Sequence, residues 1–194
     1  MYGNLAEYLS NSRITHDEFF SFLEHPLNAE MAFELIDGYI NMMASPTPNH
    51  QTISLEISSR IHAYLKDKKC RVFQDLSVFL FDERKKSDNV FRPDIMVTCD
   101  KNRITEKGHL GAPDFVIEIV SKSTGYNDYS TKRRAYMRNG VKEYWIVDSL
   151  ISQILVCTED TEYKYTFCDK IESHIFEGLV IDFKEILILL DIQA

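Results

Sequence analysis

Two short stretches constrain this chain more than any others: residues 91–97, FRPDIMV, and residues 113–121, PDFVIEIVS. Each sets an acid inside an apolar, β-branched run. Such runs become strands with buried faces, and an isolated carboxylate is costly there unless it is paired, neutralised or bound to a metal. Strand side chains alternate faces, so Asp94 shares a face with Met96 and Thr98, and Glu118 with Asp114, Val116 and Val120. If the two strands are neighbours, Asp94 and Glu118 point into one patch. Two carboxylates meeting there suggest a metal site, and a metal held by carboxylates suggests phosphoryl chemistry. Asp114 lies roughly 13 Å along an extended strand from Glu118, too far to share one ion, and reads as a strand entrance.

The remainder of the sequence suits one domain. The 194 residues suffice for a sizeable core, and 44% apolar with 27% charged residues is the composition of a globular protein. No apolar run reaches the roughly 20 residues of a membrane helix, and the N-terminal residues carry no signal-peptide pattern. A cytoplasmic location is the expectation, with Cys70, Cys99, Cys157 and Cys168 as reduced thiols. Their spacing offers no zinc site.

Thr15 followed by Glu18 reads as a capping box on a helix over 15–24. Asp37-Gly38 is a hairpin turn between the strands of 33–40. Ile53, Ile57, Ile61 and Tyr64 recur at helical spacing, which predicts a helix over 49–66. A strand over 72–81, a charged turn over 82–89 and a polar loop over 100–112 follow. Strand 115–120, helix 127–139 with Gly140 behind it, and strand 143–148 form a βαβ unit, so its two strands run parallel. Short strands occupy 151–183, before an apolar terminal segment over 186–190. The fold class expected is α/β, bordering on α+β, with a mixed sheet flanked by helices.

The net charge of −8 argues against general nucleic-acid binding. Between residues 122 and 142, however, Lys122, Lys132, Arg133, Arg134, Arg138 and Lys142 face Asp128 alone. This strip is either a solvated helix face or a local contact for phosphates. Lys132 either pairs with Asp128 at the surface or reaches over the strand ends toward Glu118.

The order of these features resembles one family. It runs from Glu34-Leu35-Ile36-Asp37-Gly38 through the segment 46–50, Arg92-Pro93-Asp94 and Pro113-Asp114 to Glu118-Ile119-Val120-Ser121. Asp128, Lys132 and the stretch 140–148 complete it. The chain is similar to the Uma-type restriction endonuclease family, within the PD-(D/E)XK nuclease superfamily, over about residues 15–190. The resemblance implies a restriction-endonuclease-like core and a divalent ion held by Asp94 and Glu118. Glu34 matches an early acid that adds to the metal site, and His50 matches a histidine at the start of the first long helix. The superfamily expects a lysine where this chain has Val120, and Lys132 is the matching position on the following helix.

Two functions are therefore expected. The first is a Mg2+- or Mn2+-dependent endonuclease hydrolysing DNA phosphodiesters. Its catalytic set is Asp94, Glu118, Lys132 and His50, its metal ligands are Asp94, Glu118 and Glu34, and Arg133, Arg134 and Arg138 meet the DNA backbone. A homodimer suits cutting of both strands. The second is a nuclease-like fold without catalysis, serving as a nucleic-acid-binding or assembly module.

Overall fold

The computed structural model describes residues 13–28, 31–82, 87–121 and 125–190. Thr15 caps α1 (His16–Leu23): its side chain accepts from the Glu18 amide while the Glu18 carboxylate accepts from the Thr15 amide at 2.8 Å. Strands β1 (Phe33–Ile36) and β2 (Tyr39–Met42) meet at Asp37 and Gly38, both with positive φ, the hairpin geometry that Asp-Gly favours. Thr47 caps α2 (Pro48–Leu65), with Pro48 in its first turn.

The segment expected as one strand over 72–81 is two. β3 (Arg71–Gln74) and β4 (Val78–Asp82) lie in different sheets, separated at Asp75, whose φ of 51° turns the chain. An alternating pattern cannot reveal this break, because apolar residues, Val72 and Phe73 before it and Leu76 and Val78 after it, continue on both sides. β5 (Ser87–Phe91) starts inside the stretch expected as a turn and pairs with β4. β6 (Ile95–Thr98) follows. The expected polar loop contains a 3-10 turn (Lys101–Arg103) and a small hairpin, β7 (Ile104–Thr105) with β8 (Gly108–Leu110). Gly108 lies so close to β4 that a Cβ would sit 2.3 Å from the Ser77 carbonyl oxygen.

Strands β9 (Phe115–Ile119) and β10 (Glu143–Asp148) pair in parallel, as the βαβ reading requires. The helical run between them, α3, comprises Gly125–Asn127, a π-type turn Asp128–Lys132, and Arg133–Arg138. Then come β11 (Gln153–Thr158), β12 (Glu162–Thr166), β13 (Lys170–Glu172), β14 (Val180–Asp182) and α4 (Phe183–Leu189).

One six-stranded sheet has the order β2-β1-β5-β4-β8-β7, the other β12-β11-β10-β9-β6-β3. The second is mixed, with β6 antiparallel to β9. One of its faces packs Ile117, Ile119, Trp145 and Val147 against Ile53, Ile57 and Ile61 of α2 and Phe183 and Ile186 of α4. The other packs Val116, Val120, Tyr144 and Ile146 against Ala135 and Tyr136 of α3 and Val78 and Leu80 of the first sheet. Period-two alternation therefore turns Glu118 toward α3.

The cysteine expectation needs correction. Cys70 and Cys99 form a disulfide. Arg71 faces Thr98 in the β3–β6 register, so the next residues outward stand opposite one another. Only that register brings together two residues 29 apart in sequence. Cys157 and Cys168 are free thiols.

His109 is fully buried between the Gly111 carbonyl and the Thr98 hydroxyl, each 3.0 Å from a ring nitrogen. Burial foremost holds its pKa below the ordinary 6.5. The unfolded chain then binds the proton more readily, so this residue's contribution to stability is complete above about pH 6.5 and is lost as pH falls toward the lowered value. His109→Gln should shrink the difference in urea stability between pH 7.5 and pH 5.5. An undiminished difference would assign it to other groups.

Candidate active-site cleft

A narrow cleft of about 70 Å³ opens where the two sheets meet the start of α2 and the start of α3. Its lining includes His50, Asp75, Arg92, Asp94, Glu118, Ile119, Ser121, Asp128 and Lys132. Asp94 stands just before β6, and its carboxylate is fixed at both oxygens. Oδ2 accepts from the Ile119 amide at 2.6 Å, and Oδ1 lies 3.1 Å from His50 Nε2. Pro93 explains part of this placement: it cannot donate to the ladder, so β6 pairing begins after Asp94. The Thr47 cap holds His50 in the first turn of α2. Burial alone would lower the His50 pKa, but the hydrogen bond and charge of Asp94 outweigh it and hold it above 6.5.

Lys132 is 2% exposed, and the reading of it as a surface residue paired with Asp128 is replaced by a buried one. Its ammonium lies 2.8 Å from Glu34 Oε1, 3.2 Å from Glu118 Oε1 and 3.5 Å from Asp128 Oδ1. The π-type turn aims both Asp128 and Lys132 inward; such turns recur at functional positions. Desolvation works against the Lys132 charge, but Glu118, Glu34 and Asp128 together hold its pKa well above the usual lysine value. One ammonium faces three buried carboxylates. Burial first, then the charges of Asp128, Asp94 and Glu34, push Glu118 well above the carboxylate range despite Lys132.

Of the residues singled out in the sequence, Glu34, His50, Asp94, Glu118 and Lys132 thus converge. Arg133, Arg134 and Arg138 do not join them. They lie on the outward side of α3, lining a groove shared with the acidic turn 159–162, where Arg133 pairs with Glu162. Asp114 stands apart as well, bound to the Cys99 amide at 2.7 Å and to Lys142 at 2.6 Å. Sequence reading missed Asp75 and Arg92 in the cleft and Asp128 as a buried partner of Lys132. Asp75 follows a strand of ordinary pattern and carries no local signal. Asp128 could have been found from its i, i+4 relation to an inward lysine.

The donor set is oxygen-rich and carries surplus negative charge, which fits a hard divalent ion. Among the described residues no three His, Cys, Asp or Glu side chains are close enough to cage an ion by themselves. A sparse site of one or two carboxylates and several waters is the arrangement Mg2+ prefers.

A family model described as "Putative restriction endonuclease", Uma2, matches residues 17–184. The chain belongs to the Uma2 family. A crystal structure from Anabaena variabilis, titled "putative nuclease belonging to DUF820", superposes with a TM-score of 0.73 at 25% identity. The match covers 89% of this chain and 97% of that one, and the fold is restriction-endonuclease-like. Two Synechocystis proteins, slr1290 and sll1609, are 29% and 22% identical over 123 and 137 residues. These alignments cover 62% and 69% of this chain, and 63% and 75% of the relatives' own lengths. In this Uma2 chain the strand position of the superfamily lysine is Val120, buried in the core on the face toward α3. The ammonium beside Glu118 comes instead from Lys132, on α3.

Proposed function

We propose that this chain is a divalent-metal-dependent nuclease, an endonuclease hydrolysing phosphodiester bonds in DNA. The observation that carries the reading is one cleft holding Asp94, Glu118 and the buried ammonium of Lys132. Membership of the Uma2 family and the Anabaena neighbour add to it. Asp94 and Glu118 would hold Mg2+ or Mn2+ together with waters, while Glu34, the third expected ligand, is engaged by Lys132 and the Arg92 amide. Such an ion supplies Lewis-acid charge at the phosphate and an acidified water.

The chain's own groups do the rest. The His50 imidazole and the Ile119 amide keep Asp94 in one orientation, so its carboxylate is preorganised. Lys132 offers a fixed positive charge in a desolvated setting, where it stabilises charge developing on a phosphate oxygen. Arg134 and Arg138, exposed on α3, are the proposed contacts to flanking phosphates, with Arg133 beside them. A homodimer suits two-strand cutting, and the cytoplasm is the proposed compartment. Val120 lends support to a second reading, a nucleic-acid-binding module without cleavage.

Nicking of supercoiled plasmid in Mg2+ or Mn2+ tests the first reading. Asp94→Asn and Glu118→Gln should each abolish nicking and weaken Mn2+ binding in calorimetry. A parent protein that binds DNA without cutting it in either ion would favour the second.

A further inference from the structure

A phosphodiester brings negative charge into a cleft that is already acidic. Asp75, Asp94, Glu118 and Asp128 line it, and Glu34 touches Lys132 behind them. Three basic side chains line the same space: His50, Arg92 and Lys132. Two are committed, since Lys132 is ringed by three carboxylates and His50 is bound to Asp94.

Arg92 is held differently. Its backbone amide donates to Glu34 Oε1 at 2.8 Å, which ties the residue to the carboxylate cluster. Its Nε donates to the Asp75 carbonyl at 3.4 Å. Asp75 presents that carbonyl from a left-handed conformation, φ 51°, that aspartate adopts at some cost. The two terminal nitrogens of the guanidinium have no partner among the described residues. Asp75 is near enough to attract Arg92 by charge, yet forms no ion pair with it. The half-buried side chain is thus anchored at its inner edge, with the outer edge of a planar fork left over. That fork matches the oxygens of a phosphate in a way a lysine ammonium does not.

We propose that Arg92 is the phosphate clamp of this cleft, its free guanidinium edge binding the non-bridging oxygens of a substrate phosphodiester. The proposal rests on the nuclease reading and assigns the positioning of substrate to a residue separate from Lys132. A clamp of this kind binds ground state and transition state alike, so its loss is read in affinity and KM more than in kcat.

The test compares the parent with Arg92→Gln and Arg92→Lys. Fluorescence anisotropy of a short labelled DNA duplex, in chelator and over a range of salt, gives affinity. Steady-state cleavage in Mg2+ gives KM and kcat, and calorimetry gives Mn2+ binding. Arg92→Gln should weaken DNA binding about 10-fold or more and reduce the slope of log affinity against log salt by about one. KM should rise more than kcat falls, and Mn2+ binding should stay at the parent value. Arg92→Lys should keep the salt slope and recover part of the affinity. Parent-like DNA binding by Arg92→Gln overturns the clamp and leaves the nuclease reading standing. Loss of Mn2+ binding in that variant also overturns it, because Arg92 would then be supporting the carboxylates. A parent protein that neither binds nor cuts nucleic acid overturns both.

Discussion

Lys132→Ala is expected to lower metal-dependent cleavage by about two orders of magnitude or more, the scale for losing one fixed electrostatic contact in a dry site. The variant removes the ammonium placed 3.2 Å from Glu118 and leaves Asp94 and Glu118, the proposed metal ligands, in the chain. It also leaves Glu34, Glu118 and Asp128 buried without their shared cation. Breaking a buried pair from one side costs about 3–5 kcal/mol, so urea unfolding should shift to markedly lower denaturant. Mn2+ calorimetry separates the two effects, because a folded variant should still bind the ion. The double variant Val120→Lys with Lys132→Ala is the sharper measurement. Partial recovery of cleavage means that strand and helix address the same phosphate. Cleavage by Lys132→Ala at the parent rate removes the residue from the mechanism.

Trp145→Ala should cost about 3–5 kcal/mol, among the largest losses available to a single core substitution. The ring is fully buried, 5.2 Å from Phe115 and 6.2 Å from Phe183, so truncation opens a cavity at the centre of the mixed sheet. Its Nε1 also donates to Glu143 Oε1 at 2.7 Å. Glu143 is itself fully buried and, among the described residues, would keep the Ser173 hydroxyl and the Ile175 amide. Leaving a buried carboxylate oxygen short of a donor adds to the cavity term. Trp145 is the chain's single tryptophan, so circular dichroism rather than fluorescence must follow the urea transition. Trp145→Phe should lose less. A loss below about 1 kcal/mol for Trp145→Ala would mean that the cavity collapses.

The most legible parts of this chain were those where a residue is out of place in its local pattern. Asp94 stands at the start of one apolar strand and Glu118 inside another, and they meet in one cleft because β6 and β9 are neighbours. Asp37-Gly38, the Thr15–Glu18 box and the isoleucine stripe of α2 are local devices, and each forms as expected. What stayed hidden depends on long-range placement. The Asp75 break sends the chain into a second sheet, a choice made by which apolar face each half covers. The Cys70–Cys99 bond follows from strand register. Arg92 looks like any residue before a proline until Glu34, 58 positions earlier, accepts its amide. The basic strip was legible as a strip, but helical phase divides it: Lys132 turns inward, while Arg134 and Arg138 turn to solvent.

The cleft is assembled from parts that are remote along the chain. Glu34 comes from the first sheet, Asp94 and Glu118 from strand ends of the second, His50 from one helix and Lys132 from another. Of the three carboxylates around the Lys132 ammonium, Glu118 and Asp128 are near neighbours in sequence, whereas Glu34 reaches it from the other sheet. A chain in which the second sheet has formed without the first already sets Asp94 beside Glu118, but Lys132 then lacks its 2.8 Å contact with Glu34. The ring of carboxylates around Lys132 is therefore complete only when the two sheets are docked.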